Sequence, residues 1–168
     1  MAGKWADWIK STALSHSIRD AVWLVPTSQA IHIVCVAIVL SSACMISFRL
    51  LGLMQLNRSV RQLAGSVIPW MFCCVAVLLV TGLVQTIAEP RRELLAGLYW
   101  TKMVMVLCVV GFTAWLAVTL RRKAPSWADT TGTRSPGAAR VFAVVSLVLW
   151  AGIVICGRLI AYSYLLHS

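Results

Sequence analysis

The chain has 168 residues, 60% of them hydrophobic and 12% charged, with a mean hydropathy of +0.86. A soluble domain of that length has too small an interior to hide so many apolar side chains, so composition excludes a water-soluble globular protein and assigns the chain to the membrane. The formal net charge of +10 sits mostly at the ends of apolar runs and in their connections. That pattern fits positive-inside topology and contact with anionic lipid, not nucleic-acid binding.

The first segment, Trp5 to Val25, repeats Trp5, Trp8, Ile9, Leu14, Ile18, Val22 and Val25 at roughly helical spacing, with Lys10, Ser11, His16 and Arg19 elsewhere on the wheel. This predicts an amphipathic helix over residues 5–25 that lies in the interface, is anchored by tryptophan and turns at Pro26 into the first span. No short apolar core with a small-residue cleavage site precedes Pro26, so no cleavable signal peptide is expected.

The first span is predicted over 28–52. Its polar exceptions are ordered: His32, Cys35, Val39, Ser42, Ile46 and Arg49 follow at steps of three and four, so one helix face is reserved for protein neighbours or a ligand. A short basic connection with Arg58 and Arg61 leads to a second span over 68–88, with Pro69 in its first turn and Trp70 at its interface. Glu89 to Glu93 then makes a tight polar loop. The third span is predicted over 98–120, followed by Arg121, Arg122 and Lys123. A connection rich in Pro, Gly, Ser and Thr, from Ala124 to Ala139, leads to the fourth span over 141–165. The expected architecture is all-α, a single four-helix transmembrane bundle over 1–168 with an N-terminal interfacial helix.

The six cysteines all lie inside apolar runs, where small soft residues pack well between helices and no secreted disulfide framework is expected. Cys44, Met45, Met71, Cys73 and Cys74 share one half of the first two spans, yet no C-x-x-C or M-x-x-M pair occurs, which favours packing over Cu(I) binding.

Counting inward from the ends near Pro26, Glu89, Leu98 and Tyr164, His32, Gln85, Lys102 and Arg158 fall at a similar depth, with Tyr162 one turn from Arg158. Interior stripes carry each of them: Cys74, Leu78, Thr81 and Gln85; Tyr99, Lys102, Val106, Val109 and Thr113; Ser146, Trp150, Val154, Arg158 and Tyr162. The spans contain no Asp or Glu to partner Lys102 and Arg158. A cation costs about 2.5–3.5 kcal/mol at mid-membrane and less near the surface. An anionic or electron-rich occupant offsets that cost, which makes His32, Gln85, Lys102, Arg158 and Tyr162 the candidate binding residues. Quinone carbonyls, haem propionates, a lipid phosphate or a small carboxylate all satisfy the requirement. The competing reading has the two cations snorkelling to headgroups while His32 and Tyr162 satisfy backbone carbonyls. His32 is the one histidine well inside a span, so a b-type haem would take it as an axial ligand, and bis-histidine ligation would need His16 or His167 to fold back. No nucleophile–base–acid set, phosphate-binding loop or carboxylate pair is present, so the chain is not expected to be an enzyme by itself.

The WLVP end of the N-terminal helix with a histidine soon after it, FRLLGL at 48–53, TKM at 101–103 and GRLIAY at 157–162 resemble a family of uncharacterised four-helix bacterial inner-membrane proteins, grouped only as a domain of unknown function. Where such proteins carry an acidic residue, this chain has Ser47. The resemblance implies fold and location and no activity. The leading expectation is a non-catalytic membrane subunit or anchor of a redox assembly, with an outer pocket for quinone or haem and a membrane or periplasmic protein partner. A small transport or ligand-sensing protein that takes a periplasmic anion, or a purely structural membrane partner, are the alternatives.

The first and third connections carry Arg49, Arg58, Arg61, Arg121, Arg122, Lys123, Arg134 and Arg140 against Asp129 alone, which predicts that they face the cytoplasm and both termini the periplasm. A cysteine at Ser135, in a chain stripped of native cysteines, should therefore be shielded from an impermeant thiol reagent added to intact cells. Labelling from outside would reverse the orientation.

Overall fold

The computed structural model describes residues 2–54, 57–90, 94, 97–122, 128 and 136–165, without the side chains of residues 2, 4 and 160–165. Among the described residues the main elements are six helices: α1 (Ala2–Lys10), α2 (Ala13–Asp20), α3 (Leu24–Leu51), α4 (Val60–Ala88), α5 (Gly97–Arg122) and α6 (Gly137–Leu165). The last four are long and apolar enough to cross a membrane. With 26 to 29 residues each, they run to about 40 Å at roughly 1.5 Å per residue, so their ends reach past a hydrocarbon core of about 30 Å. In hydrocarbon the backbone has no water to bond, and a helix satisfies nearly every N–H and C=O within itself.

The spans are apolar all round, so what sorts their faces is residue size and polarity more than hydrophobicity. On α3 the stripe expected from the sequence is the buried one: Cys35, Val39, Ser42, Ile46 and Arg49 are all buried and His32 is half-buried. Ser42, Ala43 and Ser47 let neighbouring backbones approach. α3 packs heavily on α4 and on α6, and α6 packs on α5, while α4 and α5 touch least of the four neighbouring pairs. The order around the bundle is thus α4, α3, α6, α5, with its loosest seam between α4 and α5. Val39, Leu50, Val60, Leu63, Val109 and Ala143 form the tightest part of the core. Leu79, Val80, Leu83, Leu107, Val148 and Ile155 point outward to lipid.

The N-terminal segment is two helices, not one over 5–25. The break falls at Ser11 and Thr12, whose hydroxyls bond the Trp8 and Ile9 carbonyls at 2.7 and 2.6 Å and so end α1. The Thr12 oxygen then accepts the Ser15 N–H at 3.4 Å as the N-cap of α2. Both helices touch α4. Ser15 is fully buried and donates to the Ile87 carbonyl at 2.9 Å, and Ala6 and Ile18 are also buried, so the pair docks on the end of α4. The turn into the bundle lies at Ala21 to Trp23, before Pro26, which sits in the first turn of α3 where its missing N–H costs nothing.

The second span also begins earlier than 68. Ser59 and Gln62 form a reciprocal capping box, with the Gln62 N–H reaching Ser59 Oγ at 3.1 Å and the Ser59 N–H reaching Gln62 Oε1 at 3.3 Å. Strong capping starts α4 two turns ahead of the apolar run, and Pro69 ends up inside the helix. There it removes the i+4 donor of the Gly65 carbonyl.

The connection between α3 and α4 is held by a buried cation. Arg49 is 1% exposed, and its Nε donates to the Arg58 carbonyl at 2.8 Å. Gly52 closes α3 in the left-handed region at φ 77°, with the Gly52 and Leu53 N–H groups bonding the Arg49 and Phe48 carbonyls at 3.2 and 2.9 Å. A Cβ in that conformation is strained, so Gly52→Ala should cost about 1 kcal/mol. Loss of the cap in Ser59→Ala should cost a similar ~1 kcal/mol. Both should lower the thermal unfolding midpoint of the purified protein in detergent; unchanged midpoints would show that this connection does not limit stability.

Candidate functional site

The polar residues near the far end of the bundle meet around His32. Its Nδ1 lies 2.7 Å from Thr81 Oγ1 on α4. Thr81 is itself buried, and its hydroxyl bonds back to α4's own carbonyls, at 2.9 Å to Val77 and 3.3 Å to Leu78. A hydroxyl has one hydrogen. With that hydrogen directed along the helix, Thr81 Oγ1 serves His32 as an acceptor, so the imidazole proton sits on Nδ1 and Nε2 keeps its lone pair. The ring packs over Gly82, where an added Cβ would come within 3.8 Å of His32 Cε1, an ordinary contact.

One turn along the same face of α4 stands Gln85. Its Nε2 is buried and has no hydrogen-bond partner among the described residues. An amide N–H buried without a partner costs about 1–3 kcal/mol, which a ligand oxygen would recover. Lys102 of α5 is half-buried, within electrostatic reach of the His32 ring. Its Nζ lies 4.0 Å from the position a Cβ would take on Gly157 of α6, so the side chain extends along α6 where that residue has none. The Tyr99 hydroxyl meets Thr86 Oγ1 at 3.4 Å, linking α5 to α4 at this end, and the Ser15 bond to Ile87 brings α2 to the same end of α4.

His32, Gln85 and Lys102 therefore lie toward one end of the bundle. Arg158 is exposed, on the same turn of α6 as Gly157, and its side chain is not enclosed with them. The helical step that keeps Ser146 and Trp150 buried has by then drifted toward the surface. Tyr162 and His167 lie outside the described side chains. His16 is exposed on α2. Thr81 is the site residue that sequence reasoning did not single out. Its place on the stripe with Cys74, Leu78 and Gln85 was the available signal. α3 starts at Leu24, so His32 is about 12 Å along it at roughly 1.5 Å per residue, level with Thr81 and not with Gln85. Among the described residues no three of His, Cys, Asp or Glu are grouped to hold a metal ion.

Four membrane-crossing helices around a half-buried cluster of imidazole, hydroxyl, amide and ammonium groups define a multi-pass α-helical membrane protein. The chain belongs to a family of unknown function, DUF6644, which it matches over residues 7–163, from α1 through all four spans. No curated protein and no solved structure matches it.

The imidazole tautomer is directly measurable. In protein with 15N-labelled histidine, His32 should show a protonated Nδ1 and an unprotonated Nε2. Thr81→Val, which keeps the shape and removes the acceptor, should mix the tautomers and cost about 1 kcal/mol of stability. A wild-type spectrum with the proton on Nε2 would overturn the assignment.

Proposed function

We propose that this chain is a non-catalytic membrane subunit or anchor of an electron-transfer assembly in a bacterial cytoplasmic membrane, and that the pocket around His32 takes a quinone. The observation that carries this reading is the buried Gln85 Nε2, without a hydrogen-bond partner among the described residues, one turn along α4 from the Thr81 that bonds His32. A quinone needs N–H donors at its carbonyls, and Gln85 and Lys102 offer them. Once reduced, it needs an acceptor for its hydroxyl hydrogen, and His32 Nε2 offers one. The loose seam between α4 and α5 gives its apolar tail a way to the lipid. A b-type haem would use His32 Nε2 as an axial ligand with Lys102 and Arg158 toward its propionates, but it leaves the Gln85 amide without a role.

The charge of the first and third connections supports periplasmic termini and hence an outer-leaflet pocket. The α1–α2 pair, with Trp5 and Trp8 exposed, and the turn after it, with Val22 and Trp23 exposed, offer the bilayer interface or a partner subunit an aromatic surface on that side. The anion-sensing alternative rests on Lys102 and Arg158, which have no acidic residue in the spans beside them.

The test is titration of a short-chain quinone analogue into purified wild type, Gln85→Leu, Lys102→Gln and Arg158→Gln, after recording an absorption spectrum for haem. Each charged or buried donor should contribute about tenfold or more in affinity, so Gln85→Leu and Lys102→Gln should each weaken binding by at least that factor and Arg158→Gln by less. Gln85→Leu should also raise the thermal midpoint of the ligand-free protein, because it removes a buried group that has no partner. Equal affinity in all four proteins would exclude a quinone in this pocket, and a haem spectrum would replace the ligand.

A further inference from the structure

The α3–α4 interface carries a second pair of facing side chains, deeper in the bundle than His32 and Thr81. Cys35 of α3 and Cys74 of α4 are each 8% exposed, and their thiols are in hydrogen-bonding contact. We propose that this pair is a redox-active dithiol, which a quinone in the pocket around His32 oxidises to a disulfide between the two helices. This rests on the quinone reading of that pocket and adds regulation to it, a covalent link that forms when the occupant is oxidised.

Placement supports the pairing. His32 and Cys35 are three residues apart on the buried stripe of α3, and Cys74 and Thr81 are seven apart on the facing stripe of α4, so each helix presents both of its residues on one face. α3 and α4 pack on each other more extensively than any other two described helices, and Cys35 and Cys74 belong to the same core cluster as Val39 and Met71. With the thiols already in contact, closing the S–S bond is a matter of side-chain rotation at two residues. Cys73 and Cys108 face outward instead.

Burial decides the class of oxidant. Inside a span both sulfurs are screened from water-soluble disulfides, whereas a lipid-soluble two-electron acceptor reaches that depth. Cys35 lies about 4.5 Å beyond His32 along α3 at roughly 1.5 Å per residue, next to the place of the quinone ring. Two S–H bonds break and one S–S bond forms, and the two electrons and two protons released convert the quinone to its hydroquinone. Once formed, the disulfide ties α3 to α4 and closes a loop through the Gly52 connection, which restricts the unfolded chain.

The test uses the full chain, purified in detergent with its six cysteines reduced, and a short-chain benzoquinone whose ring is fully substituted, so that thiols cannot add to it. Hydroquinone is followed by absorbance and the thiols by peptide mass spectrometry. Wild type should lose two hydrogens from Cys35 and Cys74 and release one hydroquinone per chain; its thermal midpoint should rise, and a dithiol reductant should reverse the change. Cys35→Ser and Cys74→Ser should each abolish the reaction, Cys73→Ser should leave it unchanged, and Gln85→Leu should slow it about tenfold at limiting quinone. Bound quinone with both thiols still reduced would overturn the dithiol and leave the quinone reading intact. No quinone binding, with the disulfide closing only under a membrane-permeant diazene oxidant, would overturn the quinone as its oxidant and the reading of the pocket with it. Oxidation at an equal rate in Gln85→Leu would put the reacting quinone outside the pocket, and that too overturns the coupling.

Discussion

The bilayer interior has no water to offer, and from that single deficit most of this molecule follows. Backbone groups close on themselves in helices, which is why the described spans hold 26 to 29 residues with no irregular stretch between cap and cap. Side-chain polar groups face the same demand with fewer solutions. Ser28, Thr81, Thr86 and Thr113 fold their hydroxyls back onto carbonyls three or four residues earlier. His32 cannot reach its own helix in that way, so it crosses to Thr81, and the 2.7 Å bond fixes α3 against α4 in both register and rotation. Gln85 does neither, and its buried Nε2, like the buried Nε1 of Trp150, has no hydrogen-bond partner among the described residues.

Packing asymmetry comes from the same source. Helices in lipid gain no hydrophobic drive to associate, so contact follows the small and polar residues that let backbones approach. α3 carries those residues on a long stripe and becomes the centre, with α4 and α6 on either side. α5 has larger residues on most of its surface and meets α6 through Phe112, Trp115 and Phe142, whose ring centroids lie 5.6 and 5.9 Å apart. What remains is the α4–α5 seam. It is bridged near its ends by Thr86–Tyr99 and Arg61–Leu120 and is loosely filled elsewhere.

How legible this was in the sequence depended on the range of the interaction. Span number, fold class and the buried face of α3 follow from length and helical period, which are local, and the structure agrees with them. Helix ends were less legible, because hydropathy marks where lipid begins and caps mark where helices begin. Ser59 with Gln62 starts α4 eight residues before position 68, and Thr12 splits the N-terminal segment although its apolar spacing runs on unbroken. Depth counting brought His32, Gln85 and Lys102 to one end, but it assumed that each helix starts where its apolar run starts. That error put Gln85 level with His32 in place of Thr81. Arg158 shows the other limit, since steps of four drift around a helix of 3.6 residues per turn and a stripe true at Ser146 and Trp150 is no longer true three turns on.

The two ends of the seam differ in a way that bears on what each can hold. Around His32 the groups are a lone pair, an amide and a single ammonium, a set that offers both donors and an acceptor and therefore suits an occupant that trades protons as well as hydrogen bonds. At Arg61 and Arg121 the side chains only donate. The difference in chemistry between the ends is one of donors and an acceptor around His32 against donors alone at Arg61 and Arg121.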